Sequence, residues 1–234
     1  MTSHYRLDAP AARIAAVFGA EAGDEGATFD PGDEPIEGED QPRPGEEEEE
    51  RRHRLDAEEI RDIALWASGL LVPQVGGEGG KPYQPKGLWL ALMHPGSNTK
   101  LYQPDKGQRL YHRSLYVYWK RTSPHPMMTL FDAPSRESSC VKRSRTNTSL
   151  QSLGLLNETQ RIEMARVLAE RLLHEAGNDT SRLDLLFTLL ASRQPTDLER
   201  AACMELLQSL QERYTAAQAD ALALLATGSE IGRA

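Results

Sequence analysis

The chain has 234 residues, of which 39% are hydrophobic and 26% are charged, and its formal net charge is −8. This is an ordinary globular composition, and the chain is long enough to bury a core. The sequence contains no run of about eighteen apolar residues, so no membrane span is predicted, and its two cysteines, Cys140 and Cys203, exclude a disulfide scaffold.

Residues 1–50 are predicted to form a disordered acidic arm. Residues 19–50 contain fourteen Asp and Glu residues against one basic residue, Arg43, and they are rich in Gly and Pro. Such a segment buries too little apolar surface to offset its ordering entropy, and we interpret it as a solvated linker. The apolar run at residues 14–20 is too short and too rich in Ala to be a convincing export signal.

Residues 51–145 are predicted to be loop-rich, basic and aromatic, and braced by two helices. The first helix begins after Asp56, which forms a capping box with Glu59, and ends near Gly69. Its predicted buried face follows the spacing of one helix side: Ile60, Ile63, Ala64, Ala67 and Leu71. A Gly- and Pro-rich loop follows, and the second helix is predicted over residues 108–121, between Gly107 and a Pro-containing segment.

Residues 146–234 are predicted to form a helical bundle. A capping box of Thr148 and Gln151 opens a short helix that runs to Leu156, and longer helices follow at about 158–175, 181–192, 197–214 and 216–226. Thr196 and Glu199 form the capping box of the helix at 197–214, whose predicted buried stripe contains Cys203, Leu206, Leu207, Leu210 and Tyr214. The predicted fold class is therefore mainly α, and residues 51–234 make up the folded domain.

Neither a catalytic constellation nor a cofactor site is identified in the sequence. The glycine-rich segment at residues 76–81 lacks the spacing of a phosphate-binding loop, because Val75 and Pro82 stand where Gly and Ser or Thr are needed. The six histidines are scattered without metal-ligand spacing. We therefore expect no metal and no cofactor, and the catalytic residues stay unassigned.

The strongest functional signal is a basic segment just before the capping box at Thr148. Residues 100–145 carry a net charge of +7, and arginines beside a helix N-terminus can bind a carboxylate, sulfate or phosphate group. The anion-binding candidates are Arg136, Lys142, Arg143, Arg145, Asn147 and Thr148. The alternative is that these cations pair internally with acids such as Asp132 or Glu137 and hold the loops to the bundle. Nucleic-acid binding is a weaker hypothesis, because no recognised motif frames the charges.

Several ordered blocks of the chain resemble a known family, planctomycete-specific domain one (domain of unknown function 1553). The main block is Arg145-Thr-Asn-Thr-Ser-Leu-Gln-Ser-Leu-Gly-Leu-Leu-Asn157, and further blocks begin at Arg54, Lys81, Pro95, Tyr111, Trp119 and Phe131. The resemblance covers about residues 51–228. Family members usually carry a long helical part ahead of the block at Arg54, so this chain resembles the C-terminal half of a member.

The resemblance implies a setting outside the cytoplasm, because members commonly occur in exported proteins with cytochrome c modules. This chain shows neither a haem-attachment motif nor a convincing export signal, so a cytoplasmic location stays open. The leading hypothesis is a non-catalytic interaction module with a cytochrome c-bearing partner, the missing N-terminal half or an anionic polysaccharide as its ligand. The alternative is part of a hydrolase or redox enzyme whose remaining active-site residues lie in the missing half or in a partner.

Overall fold

A computed structural model of the chain describes residues 55–91 and 101–228. Within these ranges the protein is mainly α-helical, as predicted, with eight α-helices, two 3₁₀-helices, two isolated β-bridges and no strand. None of the described helices is both long and apolar enough to cross a membrane. The predicted acidic arm, residues 1–50, lies outside the described residues.

Helix α1, Ala57–Ser68, begins at the predicted capping box and ends at Gly69, whose backbone is left-handed with φ 78°. Its most deeply buried face differs from the predicted one. Ala67 is buried as predicted, but the other buried positions are Ala57, Arg61, Leu65 and Ser68. The remaining predicted positions, Ile60, Ile63, Ala64 and Leu71, are only half-buried. The helix therefore points an arginine into the core and leaves part of its apolar surface near solvent.

The second predicted helix, over residues 108–121, is wrong. This segment contains two short 3₁₀-helices, Gly107–Tyr111 and Ser114–Tyr116, and is followed by α3, Pro126–Leu130. In an α-helix the Leu110 carbonyl would accept from the Ser114 amide. Instead that carbonyl accepts from Arg61 at 2.9 Å and the Ser114 amide donates to Asp62 at 2.8 Å. These backbone groups therefore bond side chains that are distant in sequence and are not available for the hydrogen bonds of an α-helix.

The helices after residue 146 follow the predicted order, whereas α2 (Leu88–Ala91) and α3 lie in segments that were predicted to be loops. Helix α2 is a single turn in the loop-rich middle. The C-terminal part contains α4 (Ser149–Asn157), α5 (Thr159–Glu175), α6 (Asp179–Ala191), α7 (Asp197–Ala216) and α8 (Gln218–Leu225). The capping boxes predicted at Thr148 and Thr196 are both present.

The core lies where α1 packs against α5 and the 3₁₀ segment. One buried cluster contains Leu65, Leu110, Tyr111 and Met164. A second one joins α1 to α3 through Ala57, Val117 and Met128. The middle segment therefore packs against helices α1 and α5.

Helices α7 and α8 lie at the edge of the domain. The stripe predicted to be buried on α7 is at most half-buried, and Leu207 is exposed. The physical reason is position, because among the described elements α7 packs mainly against α6 and α8. That part of the sequence prediction is wrong, although the helix itself is confirmed.

Candidate functional site

Among the six anion-binding candidates, Arg143 already has carboxylate partners. Its guanidinium donates two hydrogen bonds to the Glu58 carboxylate, at 2.7 and 3.3 Å, and lies 3.3 Å from Asp56 Oδ2. Burial raises the pKa of Glu58 and the Arg143 hydrogen bond lowers it, with a net pKa below the ordinary value. Arg143 therefore ties the basic segment to the first turn of α1, as the internal-pairing alternative predicts for this residue.

Arg136 has an aromatic partner. Its guanidinium carbon lies 4.5 Å from the centroid of the Trp119 ring, and the Trp119 indole donates to the Ser135 carbonyl at 3.1 Å. The backbone of Arg136 is left-handed, with φ 61°. A planar guanidinium above an indole face is a favourable cation–π contact, which holds this loop against Trp119.

The remaining candidates are exposed. Lys142 and Arg145 have neither a hydrogen bond nor an ion pair from their side chains among the described residues, and Asn147 is exposed beside them. Thr148 acts as the N-cap of α4. Arg136 and Arg143 therefore have partners within the domain, whereas Lys142 and Arg145 have none within residues 55–91 and 101–228.

The described residues also form an open surface groove along α1, with a volume of about 730 Å³. We call it the α1 groove. Its apolar lining consists of Leu55, Ile63, Trp66, Leu71, Pro73 and Leu115. Its charged lining consists of Asp56, Glu58, Glu59, Asp62, Arg113 and Arg143. Four carboxylates against two guanidinium groups make the groove acidic.

Two large side chains in the α1 groove are strongly exposed. Trp66 is 54% exposed and Leu115 is 63% exposed. The acidic side of the groove is fixed by backbone and ion-pair contacts, because Asp62 accepts from the Ser114 amide at 2.8 Å and lies 3.6 Å from Arg113. The result is an apolar surface with a rigid charged edge, a combination that is typical of binding sites for another chain.

The helical periodicity of α1 does not predict this groove. The predicted face of α1 assigned Ile63 and Leu71 to the core and did not include Trp66. The signal that was available is the pair Ile63 and Trp66, which lie three residues apart on one side of a helix. Only the path of the middle segment, which brings Leu115 beside α1, turns that side into a groove.

A buried arginine network joins α1, α5 and the 3₁₀ segment. Arg61, 5% exposed, donates to Gln160 Oε1 at 2.8 Å, to the carbonyls of Leu110 and His112 at 2.9 Å each, and to Ser114 Oγ at 3.1 Å. Burial lowers the pKa of Arg61 to about 10. The network replaces the regular backbone hydrogen bonds of the middle segment with side-chain ones.

Two further buried polar groups lie close to this network. Glu163 on α5 accepts from the Tyr111 hydroxyl at 2.9 Å, and it is fully buried. His125, 2% exposed, uses Nε2 to bond the Tyr83 carbonyl at 3.0 Å. Burial, and after it the charge of Arg61, lowers the pKa of His125 to about 4. His125 also lines a cavity of about 10 Å³, the size of one water molecule.

Metal-ligand geometry is not found in the described part of the chain. No group of three or more His, Cys, Asp and Glu side chains there could hold a metal ion. The two cysteines are free thiols; Cys140 is exposed and Cys203 is half-buried on α7.

Comparison with family models gives one match. Residues 42–207, more than half of the chain, match the family PSD1, described as a protein of unknown function (DUF1553). The chain belongs to the PSD1 family. The match confirms the predicted family. The matched residues include all those that line the α1 groove and all those of the buried arginine network. Neither the curated proteins nor the solved structures contain a match to this chain.

Proposed function

We propose that this PSD1 domain is an interaction module and that the α1 groove binds an apolar, positively charged segment of another polypeptide. The observation that carries the proposal is the exposed apolar lining of the groove, above all Trp66, next to a fixed acidic edge. Tryptophan is among the residues that most often supply a large share of an interface's binding free energy when they are covered.

Covering Trp66 would contribute a substantial part of the free energy of binding. Covering the exposed half of the Trp66 side chain removes on the order of 130 Å² from water, which contributes about 3 kcal/mol at about 25 cal/mol per Å². Leu115 and Leu55 add to this term. The acidic edge selects the partner rather than strengthening binding, because a partner with acidic residues there would meet uncompensated like charge.

The resemblance to exported family members supports a more specific setting. The proposed partner is a chain of a cytochrome c-associated system outside the cytoplasm, or the N-terminal half that longer members carry. The domain would then act as a non-catalytic accessory part of that system. Cell fractionation tests the location, because recovery of the native protein only from the cytoplasm would contradict it.

A binding experiment tests the groove. The N-terminal half of a longer family member, expressed separately, is titrated into the full chain by calorimetry. Trp66→Ala should weaken binding at least tenfold, because the largest exposed apolar side chain is removed. Leu173→Ala is the matched control, since Leu173 is 59% exposed on α5 and does not line the groove. Equal effects of the two substitutions would contradict the proposal, and no binding at all would exclude the N-terminal half as the partner.

A second candidate function is anion binding through Lys142 and Arg145. The supporting observation is that both cations are exposed and unpaired among the described residues, whereas Arg143 is held by two carboxylates. An anionic glycan is the ligand class that we propose for them. Charge-assisted contacts of this kind weaken as neutral salt screens them.

A sulfated oligosaccharide tests this candidate. It should raise the melting temperature of the full chain, and the double substitution Lys142→Gln with Arg145→Gln should abolish that rise without changing stability. Arg143→Gln is the control, because it breaks a structural ion pair: it should lower stability modestly and leave the ligand effect in place. An unchanged ligand effect in the double variant would rule the candidate out.

A further inference from the structure

We infer that a second copy of this chain occupies the α1 groove and contacts it with the outer side of helix α4. The inference rests on the proposed function of the groove and names a partner that fits it. Two copies can exchange this contact around a two-fold axis, so that each copy fills the groove of the other.

Helix α4 has an exposed apolar side. It consists of three leucines at i, i+3 and i+6, which lie on one side of a helix: Leu150 (62% exposed), Leu153 (49%) and Leu156 (59%). We call it the α4 face. The other side of α4 faces the domain, because Gln151 is buried there and Gly154 packs against Leu130 of α3. The α4 face is therefore turned away from the core and offers a row of apolar side chains to a groove.

The α4 face has positive charge near its N-terminal end. Lys142 and Arg145 are exposed and have no partner within residues 55–91 and 101–228. Arg145 lies three residues ahead of Thr148, the N-cap of α4, and so within about 10 Å of the start of the helix. The groove lining, with four carboxylates and two guanidinium groups, has a formal charge of −2, and the two free cations carry +2. The two surfaces are therefore complementary in charge, and both are apolar.

Charge also decides which surfaces can face each other in a pair of copies. Two α4 faces would bring the Lys142 and Arg145 side chains of both copies together, and two grooves would bring their carboxylates together. Both pairings are repulsive. The groove against the α4 face is the pairing that is attractive. An anionic glycan would contact the cations but leave the three leucines in water, so a polypeptide surface fits the α4 face better.

The exposed area is large enough for a stable pair. On the groove side Trp66, Leu115 and Leu55 are 54%, 63% and 44% exposed. At about 100 Å² for each half-exposed large apolar side chain, these three and the three leucines of the α4 face present roughly 600 Å² per copy. A pair that forms the contact twice would bury roughly 1,200 Å² from these side chains alone, the lower limit for a specific interface. The surfaces adjoin, because Arg143 lines the groove and lies between Lys142 and Arg145 in sequence, so one partner can use both.

Sedimentation velocity of the full chain between about 1 and 100 µM tests the inference. The unsubstituted chain should shift from monomer to dimer over this range. The double substitution Leu153→Glu with Leu156→Glu should raise the dissociation constant at least tenfold, and Trp66→Ala should do the same from the groove side. The matched control is Leu222→Glu with Leu225→Glu, because these leucines of α8 are 68% and 51% exposed, have the same spacing and belong to neither surface. It should leave the dissociation constant unchanged.

Acrylamide quenching shows whether the groove is the surface that becomes covered. A Trp66→Phe version of each chain supplies the background signal of Trp89 and Trp119. The quenching constant of Trp66 should fall about two- to threefold as the unsubstituted chain passes from monomer to dimer, because the α4 face then shields the indole. In the Leu153→Glu, Leu156→Glu variant it should keep the value of the monomer at the same concentrations. Circular dichroism melts establish that the variants are folded.

Several results would overturn the inference. A chain that stays monomeric at about 100 µM would do so, and so would a dimer that the α4 and groove substitutions leave unchanged. A dimer in which Trp66 is quenched as in the monomer would show that another surface pairs. Protection of Trp66 that does not depend on concentration would show that the chain covers its own groove.

The outcomes also separate this inference from the proposed function. If the chain stays monomeric and the N-terminal half of a longer member binds in a Trp66-dependent way, only the inference fails. If the chain forms a Trp66-dependent dimer and that half does not bind, the second copy is the partner of the groove. If neither binds, both fail. When both bind, the N-terminal half should dissociate the dimer, because the two compete for one groove.

Discussion

Replacing Arg61 with methionine should destabilise the folded domain by about 3–5 kcal/mol. Arg61 is 5% exposed and makes four hydrogen bonds that connect α1 to α5 and to the 3₁₀ segment. Methionine fills a similar volume but donates none of them. The substitution therefore keeps the packing and removes the polar contacts.

The expected loss of stability follows from the buried acceptor groups that lose their hydrogen-bond donor. The Leu110 carbonyl keeps its bond from Gln160 Nε2, at 2.9 Å, whereas the His112 carbonyl and Gln160 Oε1 lose the Arg61 contact. A buried acceptor without a partner costs about 1–3 kcal/mol, and a hydrogen bond to a charged donor is worth about 1.5–3 kcal/mol. The substitution also removes a buried charge, and the desolvation cost that is avoided offsets part of the loss of these hydrogen bonds. Among the described residues no carboxylate lies closer to the Arg61 guanidinium than Asp62, at 3.9 Å, so this relief is appreciable. The expected net loss of about 3–5 kcal/mol is therefore well below the sum of four hydrogen bonds worth about 1.5–3 kcal/mol each.

Urea unfolding followed by circular dichroism measures the effect, and Arg113→Met is the matched control. Arg113 lies 3.6 Å from the carboxylate of Asp62, but its side chain is 53% exposed, so its removal should change stability by less than about 1 kcal/mol. Hydrogen exchange should also accelerate over residues 107–117 in the Arg61 variant alone. If Arg61→Met were as mild as Arg113→Met, the arginine network would not be what holds the middle segment in place.

Two further substitutions test other parts of the fold. Burial, followed by the charge of Arg61, lowers the pKa of His125 to about 4, so between about pH 6.5 and 4 the unfolded chain binds a proton that the folded chain does not. The contribution of His125 to the free energy of unfolding should be fully present above about pH 6.5 and should fall by about 3 kcal/mol as the pH is lowered to 4. In urea unfolding measured across this pH range, His125→Gln should remove the fall, whereas His174→Gln, at an exposed histidine, should leave it unchanged. Gly80→Ala should destabilise by about 1–3 kcal/mol, because its Cβ would lie 2.5 Å from the backbone carbonyl oxygen of Arg109, which cannot move aside as the end of a side chain can. Gly177→Ala, with nothing within 4 Å, should be neutral in a thermal melt, and equal effects would contradict the close approach of these two backbone segments.

The helix boundaries were the most predictable part of this protein. The capping boxes at Asp56, Thr148 and Thr196 all form, because the groups that make them lie three residues apart in sequence. The left-handed Gly69 ends α1 for an equally local reason. Where a signal depends only on neighbours along the chain, the sequence suffices to place it.

The candidate anion site was predictable only as a set of residues. Composition identifies the basic segment, but it does not distinguish Arg143, which bonds a carboxylate 85 residues away, from Arg145, which has no partner among the described residues. The partner of a charge depends on how the loop folds back onto α1. No local pattern contains that information.

By itself, the sequence determined the helical class, the order of the C-terminal helices and the family, because periodicity, caps and motif blocks are local properties. Tertiary structure decided the rest. The segment 108–121 has helical signals but gives its backbone hydrogen bonds to Arg61, Asp62 and Gln160, which are distant in sequence. The same path places Leu115 beside Trp66 and so creates the α1 groove. A backbone group bonds whichever partner the whole fold brings within reach, and this is why the middle of the chain and its binding surface could not be predicted from local sequence signals.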